Sequence, residues 1–188
     1  MISIPLLYHG TIHPYAASIA LQGVLLSKSK RFLDFGPGFY TTPNPEFART
    51  TAESHAKTYN YFHPGESVVG RVLEFEFDDR LARSLRTKEF SAADLQWAQF
   101  VIANRCENPL VHSAYDHNID QCYDLVFGPV ADGRGTITPM VEQVNAGTLS
   151  LADLDYRAIA PASHARWGSQ VSFHTKAALG CIRLISVV

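Results

Sequence analysis

Cysteine is scarce and odd in number in this 188-residue chain: Cys106, Cys122 and Cys181, with no pair at CxxC spacing. That set builds neither a disulfide framework nor a structural zinc site, and it fits a reducing compartment. Long apolar runs are missing as well. No stretch of about eighteen apolar residues occurs, so no segment is expected to span a membrane. The opening MISIPLLYHG has no basic n-region and no long h-region, and is not expected to act as a signal peptide. A cytoplasmic location is the expectation, with leaderless export as an effector left open. Nor does one sign of charge dominate: 16 Lys+Arg stand against 18 Asp+Glu, a net charge of -2. This argues against a polybasic nucleic-acid or membrane clamp while leaving room for a local basic pocket.

Several catalytic signatures are absent too. There is no GxSxG elbow. GPGFY at 36–40 is too short for GxGxxG, lacks the Lys-Ser/Thr of a P-loop, and runs from a turn into a strand instead of from a strand into a helix. Cys106 and Cys122 read as packing thiols. His112, Asp116, His117, Asp120 and Cys122 gather several metal-ligand types, but their spacing matches no zinc pattern, and a solvated polar loop is the preferred reading. No metal is expected.

What is present is an ordinary globular composition, 46% hydrophobic and 18% charged, without repeat, low-complexity tract or linker. Residues 1–188 are expected to form a single α+β domain. Strands are expected near 5–9, 38–42, 70–77, 123–128, 170–174 and 182–187, the third from the alternation of Leu73, Phe75 and Phe77 with Glu74, Glu76 and Asp78. A helix is expected over 15–21 with Gly23 as its stop. Asn44-Pro45-Glu46 starts another, with Phe47, Thr51, Ala52, His55, Ala56 and Tyr59 on one face. Ser91 with Asp94 starts a third, Thr138-Pro139 a short one that stops near Gly147, and Ser150 with Asp153 one more. Thr175 caps a single turn ending at Gly180. Residues 106–121 are expected to be irregular.

Three segments combine residues suited to ligand chemistry. Tyr8-His9-Gly10-Thr11 delivers an imidazole beside a glycine whose backbone a ligand can approach closely. DFGPGFYTT at 34–42 carries aromatics behind a glycine turn. QVSFHT at 170–175 is a late strand led by an amide. Singly, each has a plain structural reading: a core histidine, core aromatics, a rim glutamine. Their combination is more specific.

Together with YDLVFGPVAD at 123–132, these segments resemble a bacterial family of uncharacterised small proteins grouped with the ADP-ribosyltransferase superfamily, whose members carry a histidine–tyrosine–glutamate triad. The resemblance runs from Leu7 to Cys181. It implies a split mixed β core with flanking helices and an NAD cleft, and NAD as substrate. It implies that His9 hydrogen-bonds the adenosine ribose, that the Gly10 backbone pairs with the nicotinamide carboxamide, and that Tyr40 stacks on nicotinamide. Thr11, Thr41 and Thr42 would be supporting hydroxyls and Phe39 a further aromatic wall, with the register between Phe39 and Tyr40 open.

Gln170 falls where the family's glutamate is expected. Glutamine can bond a ribose hydroxyl but supplies no full charge. Asp34, Asp124 and Asp132 are the candidate substitutes. Lys28, Lys30, Arg31, Arg49 and Arg71 are candidates to meet the pyrophosphate, and the 106–121 and 131–138 loops to receive an acceptor. The implied function is ADP-ribose transfer to an unknown macromolecular acceptor, or NAD hydrolysis. The implied setting is a bacterial toxin or effector with an antitoxin or immunity partner. A catalytically inactive module binding NAD or ADP-ribose, and an enzyme that modifies nucleic acid, are the alternatives.

Overall fold

Apolar residues at alternate positions build two sheets that face one another. The computed structural model describes residues 6–131, 134–159 and 168–188. One sheet has strand order β1-β3-β7, from β1 (Leu6–Ile12), β3 (Gly70–Phe77) and β7 (Ile182–Val187), all antiparallel. The other has order β2-β6-β5-β4, from β2 (Phe39–Thr41), β6 (Ser169–Phe173), β5 (Leu125–Pro129) and β4 (Thr87–Glu89), with a parallel β4–β5 pair. Position 5, where the first strand was expected to begin, lies outside the described residues.

Leu7, Leu73, Phe75 and Phe77 from the first sheet meet Phe39, Leu125, Val171 and Phe173 from the second in one buried cluster. The second sheet's other face carries a further cluster built on Phe35, Trp97, Phe100 and Val126. The sheets touch edge to edge at one point, where Tyr8 and Thr42 exchange two backbone hydrogen bonds of 2.8 and 2.9 Å.

Helix α1 (His13–Gln22) ends on Gly23, as its sequence predicts. Helix α2 (Pro45–Phe62) starts at Asn44, whose side chain accepts from the Glu46 and Phe47 amides. Its buried face shares Ala52 and Ala56 with the expected one but is completed by Ala48, an alanine stripe from which Phe47, Thr51, His55 and Tyr59 are turned aside. The reason is close approach. A Cβ at Gly10 would lie 1.9 Å from the Ala48 carbonyl oxygen, and one at Gly70 2.8 Å from the Ala52 carbonyl carbon. Glycine on the strands and alanine on the helix bring the two backbones together, and larger residues turn outward.

After the helical turn α3 (Asp79–Ala82), helix α4 (Leu95–Arg105) starts three residues later than Ser91 suggests. Asp94 is its cap and accepts from the Trp97 amide. It is buried nearly all round, with Trp97, Phe100, Val101 and Ile102 in the core.

Residues 106–121 are less irregular than expected: Asn108-Pro109 starts helix α5 (Pro109–Ala114). Helix α6 (Arg134–Asn145) begins a turn before Pro139 because burial of Ile137 and Val144 draws the earlier residues in. At Ser150 the expected helix is a single 3-10 turn, Leu151–Asp153. Among the described residues no helix is long and apolar enough to cross a membrane.

Candidate active site

The site lies where β1 and β2 part company. Past the Tyr8–Thr42 pair, a continued ladder would set Gly10 opposite Tyr40. It does not continue, because the Tyr40 carbonyl accepts from His9 Nδ1 at 2.7 Å. A carbonyl can only accept, so Nδ1 carries the proton, and in the neutral ring Nε2 is left as an acceptor. Burial lowers the His9 pKa to about 4, which keeps the ring neutral near pH 7. The ring lies 4.4 Å from that of Phe39.

Gly10 is left with an open backbone. Val72, opposite it on β3, uses its amide and carbonyl on Val188. The Gly10 N–H and C=O therefore point away from β3, on the same side of β1 as those of Tyr8, toward the Tyr40 strand. An adjacent donor and acceptor in extended geometry are complementary to a carboxamide.

Tyr40 is half-buried, and its hydroxyl is fixed. It accepts from the Phe35 amide at 2.9 Å and donates to the Gly36 carbonyl at 2.6 Å. Burial, with the charge of Asp34 nearby, holds this phenol well above its ordinary pKa. Its ring stacks near Phe35 (6.4 Å, 25°) and meets the edge of His174. Gly36 sits at φ +85°, a left-handed conformation that favours glycine, and a Cβ there would strike the Asn118 carbonyl.

The two adjacent aromatics take opposite faces of β2. Phe39 points into the core between the sheets against His9 and Phe75, and Tyr40 points to the other face, which it shares with Ser172 and Gln170.

Thr41 and Thr42 are buried, and their hydroxyls donate to the Val171 carbonyl at 3.1 Å and the Ser169 carbonyl at 2.9 Å. They brace β2 on β6 and do not point free hydroxyls at a ligand. Thr11 is buried opposite Arg71, and alternation puts both on the His9 face of their sheet. Of the other basic candidates, Arg49 pairs with Glu46 at 3.0 Å on the surface, and Arg31 lies over the Phe32 ring.

Gln170 is buried on β6. Its Nε2 donates to Asp34 Oδ2 at 3.1 Å and, more weakly, to the Pro129 carbonyl at 3.4 Å. Asp34 is in turn gripped by Arg105, whose Nε and Nη2 reach Oδ1 at 2.8 and 2.5 Å. Of the two described candidate carboxylates, Asp34 is therefore the one beside Gln170. Asp124 is engaged elsewhere, by Arg86 and Thr175, and its pKa is lowered chiefly by the Arg86 hydrogen bond. Asp132 lies outside the described residues.

The sequence reading assigned no role to His174, which proves to be a brace for the glycine turn. It is fully buried, donates from Nδ1 to the Pro37 carbonyl at 2.7 Å, and meets the Ser172 hydroxyl through Nε2 at 2.8 Å. A Cβ on Gly38 would lie 2.7 Å from Nδ1. Asn104 and Asn118 also escaped notice. The Asn118 amide donates to Asn104 Oδ1, which seats the 118 loop under Gly36.

The polar cluster at 112–122 is spent on structure. His112 Nε2 caps carbonyls at the end of α4, and Asp116 takes Lys88 and the Tyr123 hydroxyl. No group of three metal-ligand side chains forms among the described residues. Burial pushes the Cys106 thiol up to about 11, which leaves it unreactive near neutrality.

The model of a family described as "Protein of unknown function (DUF3990)" matches residues 6–184 of this chain. No curated protein and no solved structure matches it.

Proposed function

The chain belongs to the DUF3990 family, and we propose, from the site's geometry and the sequence resemblance, that it is an ADP-ribosyltransferase-like enzyme that uses NAD as its substrate. The observation that carries the reading is the open backbone pair of Gly10 beside the half-buried ring of Tyr40 and the acceptor nitrogen of His9. A carboxamide, a flat aromatic ring and a ribose hydroxyl would find partners there in that order. NAD contains all three, the hydroxyl at His9 being one of its adenosine ribose.

The chemistry would be cleavage of the bond between ribose C1′ and the nicotinamide nitrogen. The bonding electrons leave with neutral nicotinamide, and an acceptor nucleophile or water bonds to C1′ and gives up its proton. Positioning and exclusion of water do most of such work, since the leaving group is already cationic. On this reading Gly10 fixes the carboxamide, Tyr40 supports the ring, and His9 Nε2 accepts from a ribose hydroxyl. Gln170 Oε1 accepts from another. Arg71, on the His9 face, is the basic residue best set to meet the pyrophosphate. Transfer to a macromolecular acceptor, a toxin or effector role and a neutralising antitoxin or immunity protein are parts of this proposal that rest on the family resemblance.

A second reading is favoured by one observation. The carboxylate beside Gln170 is ion-paired to Arg105, so the site offers less free negative charge than a glutamate would. A module that binds NAD or ADP-ribose without turnover fits that arrangement.

Calorimetry with NAD, together with chromatographic detection of released nicotinamide, separates these. Binding with release supports the enzyme, binding without release under any acceptor condition supports the module, and no binding rejects both.

A further inference from the structure

A carboxamide has one nitrogen end and one oxygen end, and at Gln170 the surroundings select which faces inward. The two acceptors at Nε2, Asp34 Oδ2 and the Pro129 carbonyl, match its two protons. Oε1 must then point the other way. Among the described residues no group donates to Oε1, and every fully buried side-chain polar atom has a partner, so Oε1 is the end that solvent reaches. Asp34 is held just as firmly. Arg105 takes Oδ1 with two N–H groups and leaves Oδ2 for Gln170.

We infer that Asp34 is a positioning residue: it locks the Gln170 amide with Oε1 turned outward as an obligatory hydrogen-bond acceptor. The catalytic consequence rests on the NAD-using reading, in which that acceptor receives a ribose hydroxyl. Asp34 acts through orientation more than through its field, because Arg105 balances its charge at contact distance. Hydrogen bonding to Asp34 also polarises the amide and makes Oε1 a better acceptor. Gln170 thereby presents one oxygen of the kind a glutamate would present, with the charge held one residue further back.

Asp34→Asn is an informative variant because Arg105 dictates its geometry. The two guanidinium donors require oxygen at the Oδ1 position, so the new amide nitrogen falls where Oδ2 was. Facing Nε2, it sets donor against donor, and Gln170 must turn over to present Nε2 outward. In 15N-labelled parent protein, the two Gln170 side-chain amide protons, assigned by their loss in Gln170→Ala, should exchange slowly with water. In Asp34→Asn they should exchange about tenfold faster or more. NAD affinity by calorimetry and nicotinamide release should both fall about 3–10-fold, the scale of a neutral hydrogen bond. Adding Gln170→Glu to Asp34→Asn should restore release, since the new nitrogen then faces a carboxylate oxygen.

Rapid exchange of the Gln170 amide protons in the parent overturns the proposal without any variant. Unchanged exchange in a folded Asp34→Asn also overturns it, as does a double variant no better than Asp34→Asn in a protein that turns NAD over. A parent that neither binds NAD nor releases nicotinamide, but whose Gln170 amide is slow and quickens in Asp34→Asn, rejects the NAD reading and upholds the positioning role.

Discussion

His9 donates from Nδ1 to the main-chain carbonyl of Tyr40 at 2.7 Å, in the place where the ladder between their strands would otherwise have closed. One side-chain bond thus does three things. It fixes the histidine tautomer, it occupies the Tyr40 carbonyl, and it leaves the Gly10 amide and carbonyl open.

Removing the ring tests the first of these. His9→Ala should weaken NAD binding by about 1–3 kcal/mol through loss of the Nε2 acceptor. Calorimetry at neutral pH is the measurement; an unchanged dissociation constant in a protein that binds NAD would exclude His9 from the site.

Gly10 is pinned from behind by helix α2. In Gly10→Ala the added Cβ would overlap the Ala48 carbonyl oxygen at 1.9 Å. The helix has to shift, at a cost of about 3 kcal/mol. Gly135→Ala is the matched control, because nothing lies within 4 Å of its Cβ and the residue sits in α6. It should be neutral or stabilise by about 0.5–1 kcal/mol. Thermal denaturation of the two variants should diverge; equal midpoints would mean that α2 does not sit this close.

Acid should loosen the protein over a defined window. Burial is the main cause that lowers both His9 and His174 from 6.5 to about 4. Between these values the unfolded chain binds more protons than the folded one, so stability falls as pH drops from about 6.5 to 4. For fully buried His174 the full effect is about 3 kcal/mol. Urea midpoints measured from pH 7 to pH 4 should decline, and His174→Gln should show a shallower decline than the parent. A flat profile in the parent would contradict the burial of both rings.

Gln170→Glu alone should bring no gain in nicotinamide release at neutral pH. The new carboxylate would face Asp34 Oδ2 and the Pro129 carbonyl, three acceptors in one place, with Arg105 already committed to Oδ1 and the Tyr40 phenol to Phe35 and Gly36. It would take up a proton and imitate the glutamine it replaced. Release should rise only as alkaline pH removes that proton. A full gain at pH 7 would show that the variant side chain points away from Asp34.

Much of this arrangement was legible beforehand because it is local. The Asn-Pro-Glu start at 44–46, the Gly23 stop and the alternation of Leu73, Phe75 and Phe77 are patterns of neighbours, and each lies where expected. The same Asn-Pro signal stands at 108–109, and reading it would have revealed α5. Strand β4 gave no such signal: Thr87-Lys88-Glu89 is short and polar and becomes a strand only by pairing with β5. The α2 face was right at Ala52 and Ala56 and wrong at its larger members, because the sheet's glycines required small residues there. The site divides in the same way. His9, Tyr40 and Gln170 stand in recognisable segments. That Asp34, and not Asp124, adjoins Gln170 depends on packing between residues 136 apart, which no spacing rule encodes.

That separation has a consequence during synthesis. Asp34 is made first of the three, then Arg105, then Gln170, so they meet only once residue 170 has been translated. Strand β6 is also what joins β2 to β5, so before it arrives the Tyr40 strand has no neighbour in its own sheet. Contacts of such long range form late and slowly. A nascent chain on the ribosome would therefore hold the glycine turn and the imidazole without their glutamine, and products terminated before residue 170 would leave Asp34 paired to Arg105 alone.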